Sequence, residues 1–488
     1  MKRKNWFIVA LVSVVIFGLG MLANSIIQRR AESLYISKSN TNIGDFESRN
    51  EIWGDYFQRE YNSWKQTADT TFKSKYMSSN NDDLLAQRPE MVVLWAGYAF
   101  SKDYTAPRGH MHAIEDIQHT LRTGAPNAEN KGPQPSTCWT CKSPDVPRLM
   151  NEMGVANFYK TAWSDLGSEV VNPIGCADCH DPKTMNLTIT RPALIEAFSR
   201  SGKDITKSTH QEMRSLVCAQ CHVEYYFKGD EKYLTFPWDE GMTVEKVEEY
   251  YDKANFTDFT HKISKAPIIK AQHPDYEIFQ LGIHAQRGVS CADCHMPYKT
   301  EGGIKYSDHH IASPLKNINN TCQVCHRESE GVLAQNVYER QDYVFTLRNR
   351  LEKQLAKVHF YAKFLWDNGA TDTQMKPVLE LIRKSQWRWD FITASHGSAF
   401  HAPIEAQRVL SDGLFLAMEA ETKMNSLTDK NKIAKAFVMP DISTKDKAQK
   451  VIGLDMAKER KDKQVFLNTV VPKWIQDAKA KKRLVSKN

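Results

Sequence analysis

Ten cysteines, all in C-x-x-C pairs, are the residues whose spacing in this sequence bears most directly on chemistry. The pairs are Cys138/Cys141, Cys176/Cys179, Cys218/Cys221, Cys291/Cys294 and Cys322/Cys325, with none left over. Histidine follows at once in four of them, as His180, His222, His295 and His326. Two thiols three residues apart can bond to the two vinyl groups of one haem, and the next side chain then lies under the iron as axial ligand. Tetrahedral zinc would use paired C-x-x-C without needing that histidine. Iron–sulfur clusters do not require it either, and so short a disulfide loop is a poor structural staple. The four histidine motifs therefore read as four c-type haem sites.

The fifth pair runs Cys138-Trp139-Thr140-Cys141-Lys142, with lysine where histidine should stand. Lys142 is either a solvent lysine in a degraded motif or the axial ligand of a fifth haem through its amine. A ligating amine must be deprotonated, which burial and a nearby cation favour. A different ligand at one haem of five marks that haem for a different task. The other four each need a second ligand, most simply another histidine. Sixteen histidines less the four in motifs leave twelve, at 110, 112, 119, 210, 261, 273, 284, 309, 310, 359, 396 and 401. Supply is ample, and composition cannot choose among them.

Residues 106–330 hold every motif and are rich in Gly, Pro and Asn, as expected of chain wrapped around porphyrins that supply the core. From Val332 to Asn368 there is neither Gly nor Pro. Val337, Val344, Leu347, Leu351, Leu355, Val358, Ala362 and Leu365 recur there at three- and four-residue steps. That pattern predicts one amphipathic helix of roughly 55 Å, stopped at Asn368-Gly369. Further helices are predicted at about 372–395, 403–425 and 444–480. The fold class is mainly α: a multihaem cytochrome c fold, with haems packed in a loop-rich core and long C-terminal helices. Three regions follow: 1–30 as signal peptide or membrane anchor, 31–330 as the pentahaem catalytic region, and 331–488 as a helical region and dimer interface. The long apolar stripe needs a partner surface, in its own chain or in a second copy.

The 488 residues are 25% charged and 41% hydrophobic, a soluble globular composition. The net charge of +7 comes with no basic stripe, so no nucleic acid partner is expected. Met1 to Lys4 form a short basic lead to Trp6–Ala23, 18 residues without a charge. That run is at the lower edge of a bilayer span and longer than the usual core of a cleaved signal. No convincing cleavage site follows, so the balance is towards an uncleaved anchor. Either way the rest of the chain is exported, to a periplasmic location.

One lysine motif, four histidine motifs and a helical tail resemble the ammonia-forming cytochrome c nitrite reductases. The likeness covers roughly residues 90–480. It is carried by the strings Pro107–His110, Leu121–Pro126, Cys138–Lys142, Cys218–Phe227, Lys270–Pro274, Ser307–His309 and Ser395–Pro403. The resemblance implies that Lys142 holds the catalytic haem, with the opposite face open for substrate. It pairs His180 with His309, His222 with His110, His295 with His401, and His326 with His284. The choice of His309 over His310 rests on the Asp-His step alone. Arg122, Tyr225 and His273 would surround the open position. The family also binds one calcium ion here, for which Glu224 and Gln272 would supply side-chain oxygens and Tyr225 and Lys270 backbone carbonyls.

Such a site suits nitrite. Arg122 and a protonated His273 would draw in the anion and bond its oxygens, and Tyr225 could pass protons or single electrons. Hydroxylamine and sulfite are the other substrates the resemblance allows. The competing reading is a multihaem electron carrier with every iron saturated. No NAD or flavin motif is visible, so the expected donor is a membrane quinol-oxidising cytochrome. Many family members are released after signal cleavage, so a retained anchor would be a departure.

Overall fold

The computed structural model describes residues 3–37 and 42–485; Met1 and Lys2 of the basic lead lie outside the described residues. Helix α1 (Arg3–Ser37) is continuous. Its Ile8–Ile27 stretch has a mean hydropathy of 2.2 over 20 residues, none of it buried. An exposed helix that is apolar on every side has the length and composition of a signal sequence or a membrane span.

From residue 42 to 329 the chain runs through short helices, single turns and three two-stranded antiparallel hairpins. A longer element there is α2 (His210–Ala219), opened by a Thr209/Glu212 capping box. It carries Cys218 on its last turn. The hairpin Tyr226–Lys228 with Tyr233–Thr235 follows it directly.

The C-terminal region is helical, close to expectation. Helix α3 (Glu330–Asp367) ends where Gly369 takes a left-handed φ of 83°. Thr371 then caps α4 (Asp372–Ala394), and Pro403 opens α5 (Pro403–Lys430) at a position whose missing N–H costs nothing. The stripe on α3 is buried at Val337, Val344, Leu351, Leu355, Val358, Ala362 and Leu365, with Leu347 packed at its edge. Its partners are α4 and α5 of the same chain. Gly413 on α5 makes this approach possible: a Cβ there would lie 2.8 Å from the Leu351 side chain. The single helix expected over 444–480 is instead three: α6 (Lys445–Val451), α7 (Met456–Thr469) and α8 (Val471–Ala480). Gly453 at φ 74° ends the first, Asp455 caps the second, and Pro472 sits in the first turn of the third.

Two buried cores result. The larger joins α3–α5 to Met91–Ala96 and to Ile268–Ala271; the smaller gathers Trp139, Trp163 and Phe236 under Phe466 and Trp474 of α7 and α8. The first core therefore sits behind the Lys270–His273 segment, and the second behind the Cys138–Lys142 motif.

Candidate active site

A single cavity of about 1490 Å³ runs through the loop-rich region and is lined by nine of the ten motif cysteines, all but the exposed Cys325. All ten thiols are free, so the disulfide alternative is not met. Burial pushes the thiols of Cys138, Cys176 and Cys294 up to about 12. The motifs also touch one another in a fixed order. The Cys141 and Cys221 thiols are hydrogen-bonded, as are those of Cys218 and Cys291. Cys179 feels the charge of Cys221, and Cys294 that of Cys322. The third motif is thus a branch point joining the first, second and fourth, with the fifth beyond the fourth.

Three histidine pairs stand at nearly one spacing, five of the six rings lining this cavity and the sixth, His326, exposed. Ring centres are 6.1 Å apart for His180 and His309, 6.3 Å for His284 and His326, and 6.3 Å for His295 and His401. A metal lies about 2.0 Å from an imidazole nitrogen and about 1.1 Å more from the ring centre, so two rings on opposite faces of one metal are about 6.2 Å apart. By contrast, His261 and His359 stack at 3.7 Å in the larger core, leaving no room for an ion. The Nδ1 atoms of His180, His295 and His309 lie 2.9, 2.9 and 2.8 Å from the carbonyls of Met185, Ala312 and Ser307. A carbonyl only accepts, so each Nδ1 carries the proton and each Nε2 keeps its lone pair for a metal. His110 and His222 line the same cavity. Burial, then the charges of His222 and Lys142, lower His110 to about 3. Their rings make no pair at the 6 Å spacing; His222 instead lies 4.6 Å from His273. His112 has both ring nitrogens engaged, by Glu115 at 3.2 Å and the Ala68 carbonyl at 3.1 Å.

Around the lysine motif the expected side chains converge. Lys142 lines the cavity, and its amine has no hydrogen bond or ion pair among the described residues. Arg122 sits on the single turn Leu121–Thr123, held by its Nε donating to Thr120 Oγ1 at 3.1 Å. Its guanidinium lies 4.5 Å from the centre of Phe100, whose other neighbour is the Lys270 ammonium at 4.8 Å. Arg122 acts on the Cys138 thiol, Tyr225 feels Cys141 and Cys138, and His273 feels Lys142, so all three surround the first motif. Burial raises the Tyr225 hydroxyl well above its ordinary value, keeping its proton at neutral pH.

Two opposing influences act on His273. Burial pulls its imidazole well below the ordinary value, and His222, His396 and Lys142 add to this, with Asp275 opposing. Burial also disfavours charge on Asp275, yet the His273 and His222 rings hold its carboxyl well below the usual range. Asp275 was not singled out in the sequence, and His396 stood there only as one of the twelve histidines open as ligands. His396 lies 5.4 Å from His273 and bonds the Tyr104 hydroxyl at 3.2 Å. Their only sequence signal is position, one inside the first turn after Pro274 and the other within the Ser395–Pro403 string.

A second cluster adjoins this one. The Glu224 carboxylate is fully buried and accepts from Tyr251 Oη at 2.9 Å and the Gln272 N–H at 2.6 Å. Gln272 Nε2 donates to the Lys270 carbonyl at 3.0 Å. The Lys270 ammonium points away, to Asp390 at 2.8 Å. Burial, with Glu277 next to it, raises Glu224 well above the carboxylate range. Glu277 itself has a buried oxygen, Oε2, without a partner. Two buried carboxylates short of positive charge, beside a carbonyl and an amide, are a donor set for a hard cation. Tyr225 brings its carbonyl from the position after Glu224.

The profile of the cytochrome c552 family matches residues 49–482. The chain belongs to the cytochrome c552 family. Among curated relatives, cytochrome c-552 of Parabacteroides distasonis is 64% identical over 482 residues, covering 99% of this chain and 98% of that one. Cytochrome c-552 of Desulfotalea psychrophila is 46% identical, over 98% and 94% of the two chains. A solved relative, cytochrome c nitrite reductase of Desulfovibrio desulfuricans, matches with a TM-score of 0.75 and 31% identity over 86% of this chain and 91% of that one. That protein is a catalytic subunit described with two calcium sites. The mainly α, multihaem fold expected from the motifs is the fold of this cytochrome c552 family member.

Proposed function

We propose that the protein is an exported pentahaem nitrite reductase that converts nitrite to ammonium at the haem on Cys138, Cys141 and Lys142. The observation that carries this reading is the convergence of Arg122, Tyr225 and His273 on the one motif whose ligand is not histidine. Three facing histidine pairs at metal-spanning distance support saturated haems at the second, fourth and fifth motifs. His110 and His222 are assigned to the third. Loaded with haem, the first site supplies an iron with one open position, and the others store and deliver single electrons.

The reaction takes six electrons and eight protons per nitrite and yields ammonium and two waters. Arg122 binds the anion: its Nε is occupied by Thr120, which leaves both terminal amines to donate to nitrite oxygens. Tyr225, protonated at working pH, donates from its hydroxyl. His273, held by Asp275, carries a proton to the departing oxygen. Phe100 and Tyr104 flank the Arg122 guanidinium at 4.5 and 5.8 Å from their ring centres.

Calcium is assigned to Glu224, Gln272 and the carbonyls of Tyr225 and Lys270, where it neutralises the buried carboxylate and locks the Tyr225 and His273 segments together. The α1 segment from residue 6 to 23 tethers the protein to the inner membrane facing the periplasm. A membrane quinol-oxidising cytochrome is the electron donor. Two copies pair through their C-terminal helices, where Tyr343 on α3 and Phe415 on α5 are exposed. Hydroxylamine, an intermediate oxidation level, is reduced at the same site.

The test is steady-state turnover with a reduced one-electron dye as donor. Ammonium formed at one equivalent per nitrite consumed supports the reading; nitrite left unconsumed by protein carrying five haems overturns it in favour of a pure electron carrier.

A further inference from the structure

Asp275 stands where the third haem site meets the catalytic one. It opens the short helix Asp275–Gln280, and Pro274 before it turns the chain from His273 into that helix. Both of its carboxylate oxygens are committed, and to different partners. Oδ1 accepts from the Ser395 hydroxyl at 2.8 Å and the Gly397 N–H at 3.2 Å. Oδ2 faces His222 Nδ1 at 3.7 Å and His273 Nε2 at 3.5 Å. A hydrogen bond of 3.1 Å from the Tyr276 N–H to the His222 carbonyl fixes the two segments against each other.

The motif histidines differ in what their outer nitrogen meets. His180 and His295 donate to neutral backbone carbonyls at 2.9 Å. His326 lies 3.9 Å from Glu328, whose side chain is half exposed. His222 faces a carboxylate that is 15% exposed. A carboxylate beside the outer nitrogen makes an imidazole a stronger electron donor to its metal and favours the oxidised iron; second-shell groups of this kind set haem potentials. The same oxygen orients the ring of His273.

We propose that Asp275 is a positioning residue shared by two centres: it lowers the potential of the haem on Cys218 and Cys221 through His222, and it orients the catalytic His273. The inference rests on the reading of His222 as a haem ligand and His273 as the group that meets nitrite. It adds a link that neither role contains. The third motif is the branch point from which the first is reached, so one carboxylate influences both the last electron-delivering haem and the proton-handling side chain beside the substrate.

The test compares wild type, Asp275→Asn, Asp275→Glu and Ser395→Ala, each confirmed by intact mass to carry five haems, in spectroelectrochemical titration and nitrite turnover. Asparagine keeps an acceptor for Ser395 and Gly397 but removes the charge. Asp275→Asn is expected to move the potential of one low-spin haem in the positive direction, leave the others in place, and lower kcat on the order of 10-fold. Asp275→Glu should move both less, and Ser395→Ala neither. If Asp275→Asn does not assemble, a shift in Asp275→Glu that is missing from Ser395→Ala supports the proposal, and no shift overturns it. Potentials and kcat unchanged in Asp275→Asn overturn it, as does an equal shift in Ser395→Ala, which would make the effect one of the loop. Wild type that makes no ammonium would instead sink the reading on which it rests.

Discussion

The imidazoles of His180 and His309 face each other with ring centres 6.1 Å apart, and each is held from behind by a backbone carbonyl. That arrangement fixes both tautomers before any metal arrives and points the two lone pairs at one spot. His310, next in the chain, is tied instead through its N–H to Asp308 at 3.0 Å, and its ring pairs with no motif histidine. The prediction is specific. His309→Ala converts one low-spin haem into one that binds carbon monoxide when reduced, while His310→Ala leaves the low-spin spectrum unchanged. Difference spectra of the two variants check it; the reverse result would assign His310.

In the proposed site Arg122 meets nitrite with its two terminal amines, its third nitrogen being anchored on Thr120. Arg122→Lys keeps the charge and loses the fork. The loss of a preorganised donor predicts a fall in kcat/KM for nitrite on the order of 100-fold. Phe100→Leu removes only the ring under the guanidinium, and a cation–π contact of about 0.5–1 kcal/mol predicts a loss of about two- to fivefold. Steady-state kinetics on the two variants should keep that order.

Glu224 is buried among groups that cannot neutralise it, since the Lys270 ammonium is spent on Asp390. Removing calcium with a chelator should abolish most nitrite turnover, leave five haems attached, and be reversed by adding calcium back. Glu224→Gln should show the depleted behaviour without chelator. Full activity in protein shown by elemental analysis to hold no calcium would contradict this.

Lys463 on α7 donates to the Gln118 carbonyl at 3.0 Å and to Thr123 Oγ1 at 3.1 Å, one residue from Arg122. Burial lowers its pKa to about 8, against about 10.4 in the unfolded chain. Between those values the unfolded chain binds the extra proton, so stability rises with pH there, and the cost of burying the charge is complete below the folded value. Lys463→Met removes that dependence. Its melting temperature relative to wild type should be higher at pH 7 than at pH 10; an equal difference at both would contradict the assignment.

Much of this was legible in the sequence because haem attachment is local. Two thiols and a ligand within five residues write the site directly, and a helix free of Gly and Pro writes α3 nearly to its ends. The break of 444–480 into three was harder to read: a left-handed glycine at 453 and a proline at 472 can each sit in or beside a helix. Distal ligands lie in segments remote from their motifs, so composition alone left twelve histidines equivalent. Asp275 was invisible for a different reason. A carboxylate after His-Pro reads as a helix start, and only the folded chain places it between His222 and His273. The balance acting on the charge of His273 could not be read from its type, because it is set by burial and by Asp275, which only the fold brings beside it.

The central claim is that Lys142 leaves one iron accessible while histidine pairs close the other four. Titrating the fully reduced protein with carbon monoxide tests it most directly. One carbon monoxide should bind per chain carrying five haems, in competition with nitrite. No binding at all, or binding that persists unchanged in a Cys138→Ala/Cys141→Ala variant retaining four haems, would contradict it.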